Sequence, residues 1–249
     1  GGSGSGHRMT MRLADSLFQP TQWFPRVAMY DDLRGWDTEL YLGPAEFYNP
    51  FGRYDVRIDV PEGWLVSGTG VLQNAEQVLT PLARQRLAAA LGSDSVTTIV
   101  GADEAGPGRA TQRGTNGRLT WHFVADSVND FAWATARSFV WRTTRATIPG
   151  RGPVPVHMLH LPGRANLFAN AGPITRHALE FYSALWFAYP YPQLTLQDGP
   201  SAGMEYPMVL NSNQGAADHE AAHQWWPMVV GTDETRYGWM DEGFNQYMN

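Results

Sequence analysis

The hydrophobic pattern of this chain changes period near Pro162, and that change constrains the fold more than any other feature. From about Gln19 to Pro162, short runs alternate apolar and polar residues and end at Gly, Pro, Asn or Asp. A period of two predicts strands that bury one face, and several such strands with short turns indicate a sandwich-like pair of sheets. The clearest runs are 54–60, 119–124 and 154–161, and one helix is predicted between them at 81–91.

After Pro162 the spacing of apolar residues becomes helical. The sequence predicts helices at 174–187 and 218–230, a further helix beginning near Trp239, and short strands at 193–197 and 204–210. We therefore expect an α+β protein, with a β-sandwich-like amino-terminal domain at 9–162 and a second domain at 163–249. Residues 1–8 open with Gly-Gly-Ser-Gly-Ser-Gly, which is the composition of a flexible linker, and are left out of the fold.

The composition excludes several kinds of chemistry. The chain has 249 residues, with 18 basic and 24 acidic side chains and a formal net charge of −6. Every basic residue is arginine, and cysteine is absent. Lysine Schiff bases, thiolate nucleophiles and cysteine-bound metals are therefore excluded, and a metal site would need His, Asp or Glu. The arginines are scattered, so no nucleic-acid partner is expected, and no apolar run reaches the roughly 18 residues that span a bilayer.

Residues 219–223 read His-Glu-Ala-Ala-His, and this spacing has a geometric meaning. Residues i and i+4 share one face of a helix, so His219 and His223 can bind one metal ion together. Glu220 points away from that pair of ligands and can accept a proton from an attacking water. A catalytic zinc site needs a third protein ligand, and Glu242 follows His223 after 18 intervening residues, on the next predicted helix.

This pattern of His-Glu-x-x-His, 18 residues and then Glu resembles the gluzincin pattern of the M1 family of zinc aminopeptidases. Several other segments are similar to motifs of that family. They are Gln-Trp-Trp at 224–226, Trp-Met-Asp-Glu-Gly-Phe at 239–244, Gly-Met-Glu-Tyr-Pro at 203–207, Trp-Phe-Pro-Arg at 23–26 and Tyr-Asp-Asp at 30–32. The similarity extends over most of residues 19–249.

The resemblance implies a zinc metallopeptidase with a thermolysin-like α/β catalytic domain at 163–249. The implied activity is that of an aminopeptidase, which removes amino-terminal residues from peptides by attack of a zinc-activated water. One Zn²⁺ per chain would be bound by His219, His223 and Glu242. Glu220 would act first as the general base and then as the general acid.

The motif at 203–207 implies how a substrate would be bound. Glu205 would hold the free α-amine of a peptide, which would restrict attack to the first peptide bond. Gly203 and Met204 would lie on an edge strand beside the substrate backbone. Tyr206 stands where the better-known form of the motif has Asn, and this departure affects the amine-binding geometry.

The resemblance also carries an expectation about the extent of the chain. Members of the family stabilise the oxyanion with a tyrosine well downstream of the third ligand, and we expect that residue beyond Asn249. Both predicted domains are then partial, this chain is expected to turn over substrates poorly, and a partner chain could complete the catalytic domain.

Three functions stay open at this stage. They are an aminopeptidase, a gluzincin endopeptidase, and a catalytically silent zinc-binding scaffold. Glu205 distinguishes the first from the second, unless it is only a salt-bridged strand carboxylate. The remaining histidines of the globular part have no partner at ligand spacing and are expected to be structural; they are His122, His157, His160 and His177.

Overall fold

The computed structural model describes residues 11–13, 17–40 and 46–249, and the linker predicted at 1–8 lies outside them. The strands are β1 (Met11–Leu13), β2 (Leu17–Gln19), β3 (Tyr30–Asp31), β4 (Gly35–Trp36), β5 (Gly52–Pro61), β6 (Leu65–Gly68), β7 (Val71–Leu72), β8 (Thr97–Val100), β9 (Arg118–Val128), β10 (Trp133–Ala136), β11 (Val140–Ile148), β12 (Gly152–His160), β13 (Leu194–Gln197) and β14 (Val209–Asn211). The helices are α1 (Ala75–Val78), α2 (Pro81–Ala90), α3 (Ala171–Leu185), α4 (Ala217–Ala222), α5 (Glu234–Tyr237) and α6 (Glu242–Met248). Short 3₁₀ turns lie at Ala102–Glu104, Thr115–Gly117, Pro162–Phe168 and Gly238–Met240.

Two antiparallel sheets dominate the amino-terminal part. One has the order β5-β9-β7 and the other β1-β2-β10-β6. The strands predicted at 54–60 and 119–124 are confirmed as β5 and β9, which pair with each other over almost their whole length. Alternate residues of both strands are buried or half-buried over most of their length, as a period of two requires. Residues of both sheets share one hydrophobic core, in which Trp121 is fully buried.

A five-stranded sheet with the order β14-β13-β12-β11-β8 forms the base of the candidate site. Strands β12, β13 and β14 are parallel, and β11 is antiparallel to both of its neighbours. Residue 162 lies between β12 and β13 in the chain, so strands from both sides of it pair within this one sheet. The mixture of helices and several sheets agrees with the predicted α+β class, whereas the division into domains at 162 stays a prediction.

Helix α3 covers the five-stranded sheet and positions the helix that carries the histidines. It packs on β11 and β12 and contacts α4. The sequence predicted this helix at 174–187, and the structure has it at Ala171–Leu185 with Ala178, Leu179 and Tyr182 buried. With 15 residues it is the longest helix in the described part of the chain, and none there could span a bilayer.

The helix predicted at 218–230 is much shorter in the structure. It ends at Ala222, after which the amides of Gln224 and Trp225 bond to carbonyls only three residues back, at 3.1 and 3.0 Å. Pro227 is the physical reason. It has no N–H to donate, and its ring disfavours helical geometry at the preceding Trp226.

The strand predicted at 204–210 is also interrupted. Only Val209–Asn211 forms a strand, and Met204 makes a single antiparallel bridge to Asn211. Between them, Pro207 and Met208 occupy the centre of a turn that is closed by a hydrogen bond from the Val209 amide to the Tyr206 carbonyl (2.9 Å). Met208 has a φ of 62°, which places it in the left-handed region used by the third residue of a type II turn.

Candidate metal centre

Helices α4 and α6 bring the three predicted ligands together. His219 lies in α4, His223 directly follows its last residue, and Glu242 is the first residue of α6. The Asn245 side chain donates to the His219 carbonyl at 2.9 Å and holds α6 against α4. Apart from Glu220, the buried residues of α4 are all alanine, which allows the helix to contact α3; they are Ala217, Ala221 and Ala222.

The three ligand atoms form a compact triangle. The two Nε2 atoms of His219 and His223 are 3.2 Å apart. The Glu242 Oε2 atom is 3.3 Å from Nε2 of His219 and 3.7 Å from Nε2 of His223. In a tetrahedral zinc site with bonds of about 2.0–2.1 Å, neighbouring ligand atoms are about 3.3–3.4 Å apart. The triangle therefore has the dimensions of one face of a zinc tetrahedron, and Glu242, whose side chain is 53% exposed, lies at its open side.

Both imidazoles are held so that their Nε2 lone pairs face one another. The Nδ1 atom of His219 is 2.7 Å from the amide oxygen of Asn249. The Nδ1 atom of His223 is 2.8 Å from the Trp226 carbonyl and 2.6 Å from a carboxylate oxygen of Asp241. All of these partners are acceptors, so in the neutral imidazole each Nδ1 carries the ring proton and each Nε2 offers a lone pair. Two nitrogen lone pairs and a carboxylate oxygen thus converge on one point, an arrangement that a bound cation stabilises.

The charges around the three ligand atoms also favour a bound cation. A hydrogen bond with Glu242 raises the pKa of His219. Burial alone would lower the pKa of His223, but the negative charge of Glu205 and the hydrogen bonds of Asp241 and Glu242 raise it well above its ordinary value. In turn, the two histidines hold the pKa of Glu242 well below its usual range. The triad is a site that attracts positive charge.

Glu220 lies beside the triad but supplies none of the three atoms. Its side chain is buried, with 4% of the residue exposed. Burial, together with the negative charge of Glu205, raises the pKa of Glu220 to about 8, and a cation in the triad would lower it again. A carboxyl group in this environment can accept a proton and return it, which is what a general base that later acts as an acid must do.

The residues of the 203–207 motif lie next to this group. A Cβ atom at Gly203 would be 3.6 Å from Oε1 of Glu220, so the Gly203 backbone borders the general-base candidate. Gly203 has a φ of 81°, which a side chain would disfavour. Met204 is buried, and its bridge to Asn211 places it beside the edge strand β14. Glu205 is 2% exposed, and one of its oxygens lies within 4.8 Å of a His223 nitrogen.

Gln224 holds this motif in place, a role that its neighbours in the sequence do not indicate. Its side chain is fully buried and bonds to three backbone groups of the 205–208 segment. It donates to the carbonyls of Glu205 (3.3 Å) and Tyr206 (3.1 Å) and accepts from the amide of Met208 (2.8 Å). The chain that follows the second histidine is thereby tied to the segment that carries Glu205.

Asp241, Asn245 and Asn249 were also missed. Asp241 is 1% exposed and pairs with the buried face of His223. Glu242, Asn245 and Asn249 follow one another at i, i+3 and i+7, and this spacing of polar residues on one helix face could have indicated that all three point towards α4.

Comparison with solved structures finds M1 zinc metallopeptidases. One from Deinococcus radiodurans is 19% identical with a TM-score of 0.55, and the match covers 80% of this chain and 40% of that chain. A mutant from the same organism bound to a Tyr-Ser-Ala substrate is 19% identical, with a TM-score of 0.56 and coverage of 80% and 40%. A two-domain M1 zinc metallopeptidase mutant bound to L-arginine gives 19% identity, a TM-score of 0.55 and the same coverage.

Other comparisons set the limits of this likeness. No protein-family model matches the chain, and no curated protein matches it. The chain spans 40% of the length of each of the three solved structures. At 19% identity, the likeness concerns the three-dimensional arrangement of the backbone. The described chain therefore shares its fold with the matched part of these M1 zinc metallopeptidases.

Proposed function

We propose that this chain carries the metal centre of a zinc-dependent metallopeptidase, and that the enzyme is an aminopeptidase. The observation that carries the proposal is the convergence of two imidazole lone pairs and one carboxylate oxygen, 3.2–3.7 Å apart, beside a buried glutamate. The fold that the chain shares with M1 zinc metallopeptidases supports the same conclusion.

The residues fit zinc and have distinct roles in peptide hydrolysis. His219, His223 and Glu242 would hold Zn²⁺, which would polarise the scissile carbonyl and acidify the attacking water. Glu220 takes the proton of that water and delivers it to the leaving amine. Gly203 has no side chain to obstruct the approach of a substrate backbone beside Glu220. The chemistry therefore needs only His, Glu and backbone groups, in agreement with a chain that lacks lysine and cysteine.

Restriction to the amino terminus would come from Glu205. One of its oxygens lies within 4.8 Å of ligand atoms of His223 and of the buried Asp241, in a region with excess negative charge. An α-ammonium group bound there would gain a charge-assisted hydrogen bond, whereas an acetylated amine carries no charge and would gain none. The proposal therefore includes a preference for free amino termini. It is independent of side-chain specificity at the scissile position.

The test combines zinc content with turnover of L-alanine p-nitroanilide and its N-acetylated form. Glu220→Gln is expected to keep stoichiometric zinc and lose roughly 10²–10⁴-fold in turnover, because proton transfer is lost while the ligands remain. His223→Ala should lose both. Glu76→Gln, the same substitution on exposed α1, is the matched control and should change neither.

Three outcomes would contradict the proposal. Zinc retained by His223→Ala would place the metal elsewhere. Equal turnover of the free and acetylated substrates would support the endopeptidase alternative and remove the role given to Glu205. Stoichiometric zinc, with no more turnover of either substrate by the wild type than by Glu220→Gln, would identify this chain as a zinc-binding scaffold.

A further inference from the structure

Gln19 joins the amino-terminal sheet β1-β2-β10-β6 to the loop that precedes the 203–207 motif. It is the last residue of β2, is 1% exposed, and lies 182 residues before Ser201 in the chain. Its Nε2 atom donates to the Ser201 carbonyl at 3.2 Å, and its Oε1 atom accepts from the Ser201 amide at 3.2 Å. Two residues that face each other in antiparallel strands exchange the same pair of bonds. The side chain of Gln19 therefore takes the place of a strand partner for Ser201.

Gly199 shows how closely the sheet and the loop fit together. A Cβ atom at this position would overlap the side-chain amide of Gln19, which supplies the three nearest atoms. The φ of Gly199 lies outside the left-handed region, so a side chain is excluded here by lack of space and not by backbone conformation. The amide group of Gln19 thus packs on the loop backbone in addition to bonding to it.

Other contacts anchor the two ends of this loop. At its start, the buried side chain of Asp198 accepts from the Gly199 amide at 2.9 Å. At its end, the Gly203 amide donates to the Asn211 carbonyl at 2.7 Å. Ser201 lies midway between these anchors, so the two bonds from β2 hold the middle of the loop.

A second residue beside the amino-terminal sheet holds the motif after Glu205. Thr69 directly follows β6 and is fully buried. Its hydroxyl donates to the Pro207 carbonyl at 3.0 Å and accepts from the Ala132 amide at 3.1 Å. Residues at the ends of β2 and β6 therefore bond to the segment 199–208 on both sides of Glu205.

We propose that Gln19 is a positioning residue of the substrate site, which fixes the loop 199–203 so that Gly203 and Glu205 are in place before a peptide binds. The inference rests on the proposed function of this site. Without the two bonds of Gln19, binding of a peptide would have to order the loop. Ordering a single backbone residue on binding lowers affinity by about tenfold. The metal ligands lie on other elements, α4 and α6, so zinc binding should not change.

The test compares two zinc-binding probes, L-alanine hydroxamate and propionohydroxamate, which differ only in the α-amine. By calorimetric titration of zinc-loaded protein, the wild type should bind the first more tightly, because only that probe has an ammonium group for Glu205. Gln19→Met, which keeps a similar volume and loses both bonds, should weaken binding of L-alanine hydroxamate by about tenfold. Its affinity for propionohydroxamate and its zinc content should equal those of the wild type. Gln85→Met, the same substitution on the exposed face of α2, is the matched control.

Hydrogen–deuterium exchange tests the loop without any ligand. In Gln19→Met, the amides of 199–204 should exchange about tenfold faster, whereas those of α4 should keep the wild-type rate. Gly199→Ala should have the same effect on the loop, because the new methyl group displaces the amide of Gln19. In a Gln19→Ala background, where that space is vacant, Gly199→Ala should cause no further change.

The possible failures are distinguishable. Unchanged exchange at 199–204 in folded Gln19→Met, or an equal loss of affinity for both probes, would overturn the proposal. Effects of Gln19→Ala and Gly199→Ala that add in the double variant would overturn it as well, because the two residues would then act separately. Equal affinity of the wild type for the two probes would instead refute the role proposed for Glu205, and the exchange rates would still decide whether Gln19 holds the loop.

Discussion

Substitution of Asp241 should weaken zinc binding although this residue is not one of the three ligands. Its carboxylate lies 2.6 Å from Nδ1 of His223, and the two side chains are 2% and 0% exposed. Together with the hydrogen bond from Nδ1 to the Trp226 carbonyl, this ion pair favours the tautomer in which Nε2 offers its lone pair, and it increases the basicity of the ring. Loss of such a partner typically lowers metal affinity by about 10–100-fold, or about 1.4–2.7 kcal/mol.

Two variants separate the hydrogen bond from the charge. Asp241→Asn keeps an acceptor oxygen and loses the charge, so we expect about a tenfold loss of affinity. Asp241→Ala loses both and leaves only the Trp226 carbonyl as a partner of His223 Nδ1, so we expect a loss near 100-fold. The Zn²⁺ dissociation constant is measured by competition with a chromophoric chelator at fixed pH. Asp233→Asn, which alters a carboxylate that pairs with surface arginines, is the matched control.

The ordering of the variants is the decisive result. Circular dichroism and urea unfolding must first show that each variant is folded. If Asp241→Ala then binds zinc as tightly as the wild type, the carboxylate does not orient His223 and the reasoning from the tautomer is refuted. If Asp241→Asn binds zinc more weakly than Asp241→Ala, an acceptor oxygen at position 241 does not contribute to zinc binding.

Three further predictions concern stability. Arg26→Met should destabilise the fold by about 3–5 kcal/mol in urea unfolding, because it leaves the buried Asp130 carboxylate without its 2.9 Å partner, and adding Asp130→Asn should restore most of that loss. Gln224→Ala should lower stability by roughly 1–3 kcal/mol for each backbone group left unsatisfied, and Gln224→Met, which retains the volume, should lose a similar amount if hydrogen bonding and not packing is responsible. The pKa of His157 is lowered to about 4 by burial, so the unfolded chain binds one more proton between about pH 4 and pH 6.5. Stability should therefore rise with pH in that window by about 1.4 kcal/mol per unit, and His157→Gln should remove this part of the slope.

The sequence was most informative where one physical rule decides the local structure. The runs at 54–60 and 119–124 became the paired strands β5 and β9, because alternation fixes which side chains can be buried. The spacing of the candidate ligands was equally informative. A helix places residues i and i+4 on one face whatever surrounds it, so the proximity of His219 and His223 follows from spacing alone.

The sequence was least informative where distant segments meet. Nothing near Gln224 in the chain indicates that it would bond to residues 205–208, because that contact depends on how α4 packs beside the five-stranded sheet. The pairing of β12 with β13 is similar. The period of the hydrophobic pattern changes near residue 162, yet the strands on either side of that residue pair in parallel. Periodicity carries no information about which strands pair.

The early end of α4 also shapes the surroundings of the metal centre. In a helix that continued to Val230, the carbonyl of Trp226 would accept from the amide four residues later. Because Pro227 prevents this, the Trp226 carbonyl instead accepts from Nδ1 of His223, and the amide of Val230 bonds to Trp225. The same turn directs Gln224 to the segment that carries Glu205. Pro227, which made the helix prediction wrong, is therefore the residue that lets a single short stretch, 223–227, orient a candidate metal ligand and hold the 205–208 segment in place.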